Sequence, residues 1–374
     1  MRHIGLDARM IEHSGIGTYV RHLAQGLADG HDSRQDLVLR YYGNPSNLNK
    51  FLPNVSAQSL RRFDAPIYSV KEHWSFACLK KEWDIWHCPH YNVPFVKKGM
   101  LVVTVHDLIH LVFQGKYFNA LQGWYARQSL NLVRKNADAI IAVSHHTKKD
   151  LVELAGIPES RITVIHEGVG KEFQPIEDQR ALASLKIKFN LPKKFLLYVG
   201  NIKPHKNVGQ LSRVFLRLKQ KSKIEEDLVL VGQPDKKWIN QDKDLRAAAK
   251  DNAVHFLSKV PLQDLPGLYS MATAVVLPSL YEGFGLVVLE AMACGTPVIV
   301  SNRASLPEIA GDAAKVFDPQ SDGALDEAIE LVSGDINCRK IMTINGIQRA
   351  NQFSWNKMVD ATVSIYRNMG ELAQ

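Results

Sequence analysis

The stretch TAVVLPSLYEGFGLVVLEAMACGTPVIVS, residues 273–301, decides the fold. It starts with an apolar run of strand type, passes through a glycine-rich turn into a short helical pattern, and ends in a second apolar run after a Gly-Thr-Pro turn. Two buried strands that a helix connects form a βαβ unit, in which the strands lie parallel in one sheet. This stretch therefore predicts an α/β domain with a parallel sheet.

The same alternation extends along both halves of the 374 residues. At about 100 to 200 residues per domain, this length fits two domains, and strand-type runs that alternate with helical patterns predict two Rossmann-like parallel sheets. The predicted strands are 3–7, 36–42, 84–88, 101–105, 139–143 and 162–165 in the first half, and 195–200, 227–232, 254–257, 273–279 and 296–301 in the second.

The boundary between the halves is predicted within residues 166–194. This segment carries two glycines and two prolines and has no strand pattern, which favours a linker with its hinge near Phe173. The last helical run, 353–369, has its apolar residues close to a single stripe, so it needs a surface to cover.

Composition excludes several classes of protein. With 45% hydrophobic and 22% charged residues, the chain is typical of a soluble globular protein. No apolar run approaches the roughly 18 residues that cross a bilayer, and the first residues lack a secretory signal pattern, so we expect a cytoplasmic protein. The four cysteines are scattered, which predicts free thiols and neither a disulfide framework nor a zinc site.

The net charge of +8 favours acidic partners. These include nucleic acid, anionic lipid and phosphorylated small molecules, among which charge alone does not choose. The positive charges are dispersed and no nucleic-acid-binding motif is present, so we expect no nucleic acid partner. Residues 69–83 mix lysines with aromatic residues, which suits either peripheral contact with an anionic membrane or a solvated amphipathic helix.

Glu282 and Glu290 are the leading candidates for ligand binding. Glu282 lies in the glycine-rich turn and Glu290 eight residues on, about 12 Å farther if the path were helical. A helix start between them suits a diphosphate, and carboxylates accept hydrogen bonds from paired hydroxyls. A nucleotide sugar has this shape. Two unrelated surface acids are the alternative, which Gly283 and Gly285 beside Phe284 make less favourable because they permit close backbone approach.

Three further sites follow predicted strands. Lys206, with Lys203 nearby, lies after a strand end and is the candidate cation for the diphosphate, a solvated lysine being the alternative. Gly15 and Gly17 open a helix where backbone could approach phosphate, although the dinucleotide fingerprint is incomplete. His106 follows a buried strand and could hydrogen-bond the transferred sugar, with Asp107 or backbone fixing its tautomer; a structural histidine is the alternative.

These residues resemble the family 4 retaining glycosyltransferases over nearly the whole chain. The resemblance implies the α/β GT-B fold, with two Rossmann-like parallel-sheet domains facing a central cleft and a C-terminal helix that crosses back to the first domain. It assigns 1–173, joined by a closing helix at 357–374, to the acceptor domain and 174–356 to the donor domain. The motifs that carry it are EGFGLVVLE (282–290), SHHTKKDL (144–151), HEGVGKEFQP (166–175), VGNIKPHKN (199–207) and GTPVIVSNRASLPEIAGDAA (295–314).

The same resemblance implies separate roles for the candidate residues. Glu282 would contact the donor sugar, Glu290 the ribose and Lys206 the diphosphate. His106 would contact the sugar near the reacting carbon, and Gly17 the phosphate through its backbone. Many members carry Arg directly after the strand-end glycine, where this chain has Asn201, so Lys203 is the alternative second cation. The remaining donor-binding positions are Gly15, Gly283, Phe284, Gly285 and Leu286.

The segments VHDLIH and VGNIKPHKN are similar to those of bacterial surface-polysaccharide mannosyltransferases. This predicts a hexosyltransferase of polysaccharide or lipopolysaccharide biosynthesis that uses GDP-mannose and a glycan or lipid-linked acceptor, with UDP-sugars still open. Retention is implied, with attack from the leaving-group face. No Asp-x-Asp cluster follows a predicted strand, so we expect metal independence and no cofactor. A sugar-nucleotide epimerase, or a basic nucleic-acid-binding protein, are the alternatives.

Overall fold

The computed structural model describes residues 1–30, 35–233 and 236–369. The chain divides into two compact units, one formed by residues 1–168 with 355–374 and the other by residues 169–354. The boundary predicted near Phe173 therefore falls inside the second unit, and the closing segment begins at Trp355 instead of at 357. Residues 370–374 of the predicted closing helix lie outside the described residues.

The first unit is built on a seven-stranded parallel sheet in the order β3-β2-β1-β4-β5-β6-β7. Its central strands are almost completely buried because helices cover both faces, which explains their continuous apolar runs. The strands are β1 (Arg2–Asp7), β2 (Leu37–Gly43), β3 (Leu60–Arg62), β4 (Ile85–Cys88), β5 (Met100–Val105), β6 (Ala139–Ala142) and β7 (Ile162–Val164).

Two helices of the first unit show clear capping interactions at their ends. The α5 helix begins with a capping box between Asn119 and Gln122, and α6 begins with the Ser144 hydroxyl accepting from the Thr147 amide and ends at Gly156 in the left-handed conformation. The helices before the boundary are α1 (Ile16–Asp29), α2 (Pro45–Phe51), α3 (Val70–Cys78), α4 (Ile109–Val112), α5 (Ala120–Asn136) and α6 (His145–Ala155).

The second unit is also built on a parallel sheet, which has six strands in the order β10-β9-β8-β11-β12-β13. Its strands are β8 (Phe195–Val199), β9 (Asp227–Val231), β10 (Val254–Leu257), β11 (Ala274–Leu277), β12 (Val298–Ser301) and β13 (Lys315–Phe317). Its helices are α7 (Gln179–Lys188), α8 (Val208–Gln220), α9 (Lys236–Gln241), α10 (Lys243–Ala248), α11 (Leu265–Met271), α12 (Leu286–Ala293), α13 (Leu306–Ala310), α14 (Asp322–Gly334) and α15 (Ile336–Ala350).

The C-terminal helix α16 (Trp355–Asn368) belongs to the first unit, although the whole second unit separates it from that unit in sequence. It lies against α1 so closely that a side chain at Gly26 would meet Val359 Cγ2 at 2.7 Å. The Trp355 ring stacks on His22 at 4.3 Å, and Arg367 pairs with Asp36 at 2.8 Å. The apolar stripe predicted for this helix thus covers the first unit.

The two parallel sheets confirm the predicted fold class. Every predicted strand is present, and the sequence analysis missed only β3 and β13 among the strands in the described residues. Both are three-residue edge strands with partly exposed side chains, so neither has the buried apolar run that marks a strand in sequence. Within the described part of the chain, the helices are all too short or too polar to cross a bilayer.

Candidate functional site

The loops that follow three neighbouring strands, β8, β11 and β12, form one site in the second unit. Because these strands are parallel, their carboxyl ends lie at the same edge of the sheet, where open α/β sheets bind ligands. The Leu280 amide donates to the His205 carbonyl at 2.7 Å, and the Ser301 hydroxyl donates to the Ser279 carbonyl at 2.5 Å. These bonds hold the three loops together as one surface.

Lys206 and Glu282 meet directly at this surface. Lys206 Nζ lies 2.6 Å from Glu282 Oε1 and 2.7 Å from Oε2, so the ammonium group bridges both carboxylate oxygens. The Ser279 hydroxyl also donates to Oε1 at 2.7 Å. Both charged side chains are mostly buried, with 22% of Lys206 and 16% of Glu282 exposed, which strengthens their attraction relative to a surface pair. The sequence predicted both residues but not this contact.

The turn between Glu282 and α12 is held by a buried serine. Ser305 Oγ is 2.9 Å from the Glu282 carbonyl oxygen and 2.8 Å from that of Phe284, and Ser305 has none of its surface exposed. The Phe284 ring is buried against Phe353, with ring centroids 6.0 Å apart. Phe284, predicted as a donor-binding residue, can therefore offer a ligand only its backbone.

The α12 helix begins directly after this turn. Gly285 is its N-cap with φ 105°, a left-handed conformation that a side chain rarely adopts, and it supplies no side-chain cap. The first amides of a helix lack intrahelical acceptors and carry the positive end of its dipole. Together with Leu286, the first helical residue, Gly285 thus opens an anion-binding position beside Lys206 and Glu282.

Glu290 lies in α12, about one turn after its first residue. Only the path from Leu286 onward is helical, so the condition attached to the spacing of about 12 Å between Glu282 and Glu290 is not met. The Tyr269 hydroxyl donates to Glu290 Oε2 at 2.7 Å. Burial raises the pKa of Glu290 to about 7, the Tyr269 hydrogen bond opposes this shift, and the charge of Glu172 adds to it. Tyr269 is a partner that the sequence analysis missed.

This raised pKa predicts pH-dependent stability. Between pH 4.5 and about 7 the folded chain keeps a proton on Glu290 that the unfolded chain has lost, so the stabilisation is present at low pH and is lost as pH rises through about 7. We expect the free energy of unfolding to fall by on the order of 2 kcal/mol from this group. Glu290→Gln, which keeps the Tyr269 acceptor, should remove that component in melts between about pH 5.5 and pH 8.

Glu225→Gln is the matched control for this experiment. Glu225 is exposed and paired with Lys194, and that hydrogen bond lowers its pKa, so its titration falls below this pH range. Its variant should keep the pH dependence of the parent chain. An equal pH dependence in the parent and Glu290→Gln chains would contradict the assignment.

Lys203, the alternative second cation, is more exposed than Lys206. Asn201 and Lys203 lie exposed in the loop after β8, where the Tyr198 hydroxyl donates to the Asn201 carbonyl at 2.9 Å. Lys203 directly precedes the single helical turn Pro204–Lys206, which positions Lys206. The structure therefore brings together Lys206, Glu282 and the start of α12, whereas Lys203 and Asn201 project into solvent from the same loop.

In the first unit, Gly15 and Gly17 lie at the start of α1. Gly15 is the N-cap with φ 68°, and the space that a side chain there would occupy is open. Gly17 is buried, and a side chain there would meet the carbonyl oxygens of Met10 and Ile11 at 2.8 Å. Packing against the preceding loop thus already explains Gly17, while Gly15 is the glycine that leaves room for a ligand.

His106 lies buried after β5, with 7% of its surface exposed. Its Nδ1 is 2.9 Å from Glu167 Oε1, and its Nε2 is 3.0 Å from the Pro89 carbonyl oxygen. Both neighbours are hydrogen-bond acceptors, and they hold the imidazole ring from its two nitrogens. A contact between His106 and a substrate hydroxyl therefore requires Nε2 to exchange its bond with Pro89.

Asp107 or backbone was predicted to fix the tautomer of His106; the backbone carbonyl of Pro89 does contact Nε2, whereas Asp107 has another role. Its Oδ1 accepts from the Ile109 amide at 3.0 Å and so supports the turn into α4, while Glu167 holds the imidazole. The sequence analysis missed Glu167 because it lies 61 residues from His106. The available signal was its place in the HEGVGKEFQP motif, which the resemblance had already identified.

A buried network of hydrogen-bonded polar side chains lies near His106 in the first unit. The Thr104 hydroxyl lies 2.9 Å from the Tyr19 hydroxyl and 2.8 Å from His87 Nε2, and His87 Nδ1 lies 2.6 Å from the Tyr366 hydroxyl. Burial and then the charge of His106 lower the pKa of His87 to about 3, so it stays neutral. The network ties α1, β4, β5 and α16 together.

Both halves of the chain are similar to known glycosyltransferases. Residues 13–173 match the model of "Glycosyltransferase Family 4" and residues 180–349 that of "Glycosyl transferases group 1". O-antigen chain mannosyltransferase B of Escherichia coli is 32% identical over 288 residues, covering 76% of this chain and 74% of that protein. The serotype-specific mannosyltransferase WbdA of E. coli is 30% identical over 274 residues, covering 71% of this chain but only 33% of WbdA.

Solved structures agree on the fold. Sucrose-phosphate synthase of Thermosynechococcus elongatus superposes with a TM-score of 0.76 at 20% identity, covering 100% of both chains. Anabaena HepE, solved with UDP and glucose, gives a TM-score of 0.76 at 17% identity over 98% of this chain and 100% of that one. At this identity the likeness concerns the fold, which is the GT-B fold of two Rossmann-like sheets.

Proposed function

Because the chain belongs to the family 4 glycosyltransferases, we propose that it transfers mannose from GDP-mannose to a glycan acceptor. The observation that carries this proposal is the contact of Lys206 with Glu282 beside the start of α12. A cation, a carboxylate and helix amides at one sheet edge suit the three parts of a sugar diphosphate. The mannosyltransferase relatives support the choice of sugar.

The donor would occupy the site as follows. The diphosphate binds Lys206 and the amides at the start of α12, the ribose hydroxyls bind Glu290, and the sugar hydroxyls bind Glu282. Lys206 then exchanges one of its two carboxylate contacts for phosphate oxygen, which frees a Glu282 oxygen for the sugar.

The proposed mechanism rests on the charges that develop as the donor reacts. As the bond between the anomeric carbon and the diphosphate breaks, positive charge develops on the sugar and negative charge on the departing nucleoside diphosphate. Lys206 and the α12 amides stabilise the leaving group. We propose that the acceptor hydroxyl attacks from the leaving-group face with retention of configuration and gives its proton to the departing diphosphate oxygen. We also propose that the fixed cation and amides make the reaction independent of a metal ion and of any cofactor.

We further propose a lipid-linked glycan acceptor and a cytoplasmic reaction with peripheral contact at the inner face of the membrane. Trp74, with 72% of its surface exposed, and the exposed Lys71 and Lys80 support this contact. Phe76 and Trp83, which the sequence also suggested for this surface, are each only 2% exposed and belong to the core. The surface available to a membrane is therefore smaller than the sequence suggested.

A thermal-shift screen tests the donor assignment. GDP-mannose, UDP-glucose and UDP-N-acetylglucosamine are compared, and GDP-mannose at about 100 times its Kd should add about 2.7 kcal/mol of stability. For a unit of this size, at roughly 2–4 °C per kcal/mol, that corresponds to a rise in Tm of roughly 5–11 °C. If no nucleotide sugar raises Tm, the proposal fails. Release of free GDP only when an acceptor is supplied would exclude the epimerase alternative.

A further inference from the structure

A cavity of about 450 Å³ lies in the first unit, outside the site described above. This volume falls within the roughly 300–1,000 Å³ of small-molecule sites. Tyr91, which follows β4, and His110, in α4 after β5, form one part of its wall, while Trp124 and Tyr125 of α5 and the ring of Tyr68 form the rest. The cavity thus opens near the carboxyl edge of the seven-stranded sheet.

Apolar surface at this cavity is unusually exposed. Leu121 has 72% and Trp124 57% of its surface exposed, and the two lie three residues apart, on one side of α5. Exposed apolar groups that cluster at a concave surface mark binding sites, whereas scattered ones do not. The position of both residues in the cavity wall therefore indicates a ligand with an apolar face.

Tyr68 occupies a strained conformation at the same cavity. Its φ is 60°, in the left-handed region, which costs an ordinary residue roughly 1–2 kcal/mol. Its amide donates to Glu72 Oε2 at 2.9 Å, and Glu72, only 2% exposed, accepts through Oε1 from Arg9 at 2.6 Å and from Asn92 at 2.7 Å. This buried cluster fixes the loop and supports the strain, which is typical of functional sites.

The fixed loop also fixes the Tyr68 ring. The ring lies edge-on to Tyr125 at 5.8 Å and edge-on to His90 at 5.8 Å, while its side chain keeps 43% of its surface exposed. A tyrosine needs no left-handed backbone to be exposed, so the conformation serves to place this ring over the cavity. A position with φ near 60° would otherwise favour Gly or Asn.

The chemistry of the wall selects among ligands. No lysine, arginine, aspartate or glutamate lines the cavity in the described residues, which disfavours a phosphate or a carboxylate. Aromatic faces stand beside hydrogen-bonding groups: the Tyr91 hydroxyl, 2.8 Å from His110 Nδ1, and the Gln122 amide. A pyranose ring has an apolar C–H face and a rim of hydroxyls. An acyl chain offers no hydrogen-bonding groups to match these side chains, which already have partners within the protein.

We propose that this cavity binds one pyranose unit of the acceptor saccharide, stacked on Trp124 and Tyr68. The assignment of that saccharide as the acceptor rests on the proposed function. Trp124 supplies the larger stacking surface, and the Arg9–Glu72 pair acts as a positioning device that keeps Tyr68 in place.

Calorimetric titration with α-mannotriose tests this site on the full chain. Trp124→Ala should weaken binding by about tenfold or more, because aromatic anchors dominate interface energies. Trp124→Phe should restore most of the affinity. Tyr68→Asn, which tolerates the left-handed backbone, should weaken binding without lowering Tm. Gln128→Ala, exposed on the same helix and outside the cavity wall, should bind like the parent chain.

Two results would overturn the proposal even if mannotriose binds. One is equal affinity of mannotriose for the parent and Trp124→Ala chains. The other is displacement or replacement of mannotriose by decanoate, which would identify an acyl-chain site. A rise in Tm with GDP-mannose but no mannotriose binding would overturn this site alone. Mannotriose binding that depends on Trp124, without a rise in Tm for any donor, would overturn the donor assignment and keep the saccharide site.

Discussion

Glu282→Gln is expected to lower kcat about 10²- to 10³-fold while GDP affinity stays equal or rises. The substitution keeps the size of the side chain but removes the charge that faces the sugar. In the structure the Glu282 carboxylate binds Lys206 through both oxygens, so it competes with the diphosphate for that cation. Loss of the charge frees Lys206 for phosphate at the same time as it removes stabilisation of the positively charged sugar in the transition state.

Single-turnover kinetics with GDP-mannose and titration with GDP separate these two effects. The control is Glu225→Gln, a carboxylate of the same unit that pairs with Lys194 at 2.5 Å but is 80% exposed. It should leave both kcat and GDP affinity unchanged, because exposed ion pairs contribute little. A Glu282→Gln chain with normal kcat and weakened GDP binding would reverse the proposed roles of Glu282 and Glu290.

Lys206→Met is expected to weaken GDP binding by about 2–3 kcal/mol, roughly 30- to 150-fold. It should lower kcat/KM by more than it weakens GDP binding. Methionine keeps the apolar stem but removes the only cation that contacts Glu282 among the described residues. The Glu282 carboxylate then faces the diphosphate without compensation, so repulsion adds to the lost attraction. Lys206 thus acts on both the ground state and the leaving group.

Titration with GDP and steady-state kinetics measure this effect. Lys194→Met removes the same charge from the same unit at an exposed surface pair, and it should bind GDP like the parent chain. The double variant Lys206→Met with Glu282→Gln should bind GDP more tightly than Lys206→Met alone, because the repulsion is gone. Normal GDP affinity in Lys206→Met would remove Lys206 from the diphosphate site.

The fold was accessible from the sequence because its strands are buried on both faces. Runs such as 139–143 and 274–278 carry no polar residue that would obscure the apolar pattern, whereas β3 and β13, at the sheet edges, have no such run. The same reasoning placed Glu282 and Lys206 at strand ends. It could not show that the two touch, because they are 76 residues apart and a contact at that separation depends on the strand order.

The supporting residues were less accessible still. Glu167, Tyr269 and Ser305 hold His106, Glu290 and the glycine-rich turn, respectively. Each acts through a single hydrogen bond or a pair of them, and a lone Glu, Tyr or Ser leaves no periodic pattern in a sequence. The left-handed backbone of Tyr68 is a similar case. Ser69 marks the start of α3, but a tyrosine before it does not predict a left-handed conformation.

Transfer itself is the most direct test of the account. The full chain is incubated with GDP-mannose and α-mannotriose in the presence of EDTA, and products are followed by mass spectrometry together with released GDP. The account predicts a saccharide longer by one hexose, formed in equal amount to GDP and about 10²- to 10³-fold more slowly with Glu282→Gln. GDP release without an extended saccharide, or no release from any nucleotide sugar in the screen, would contradict it.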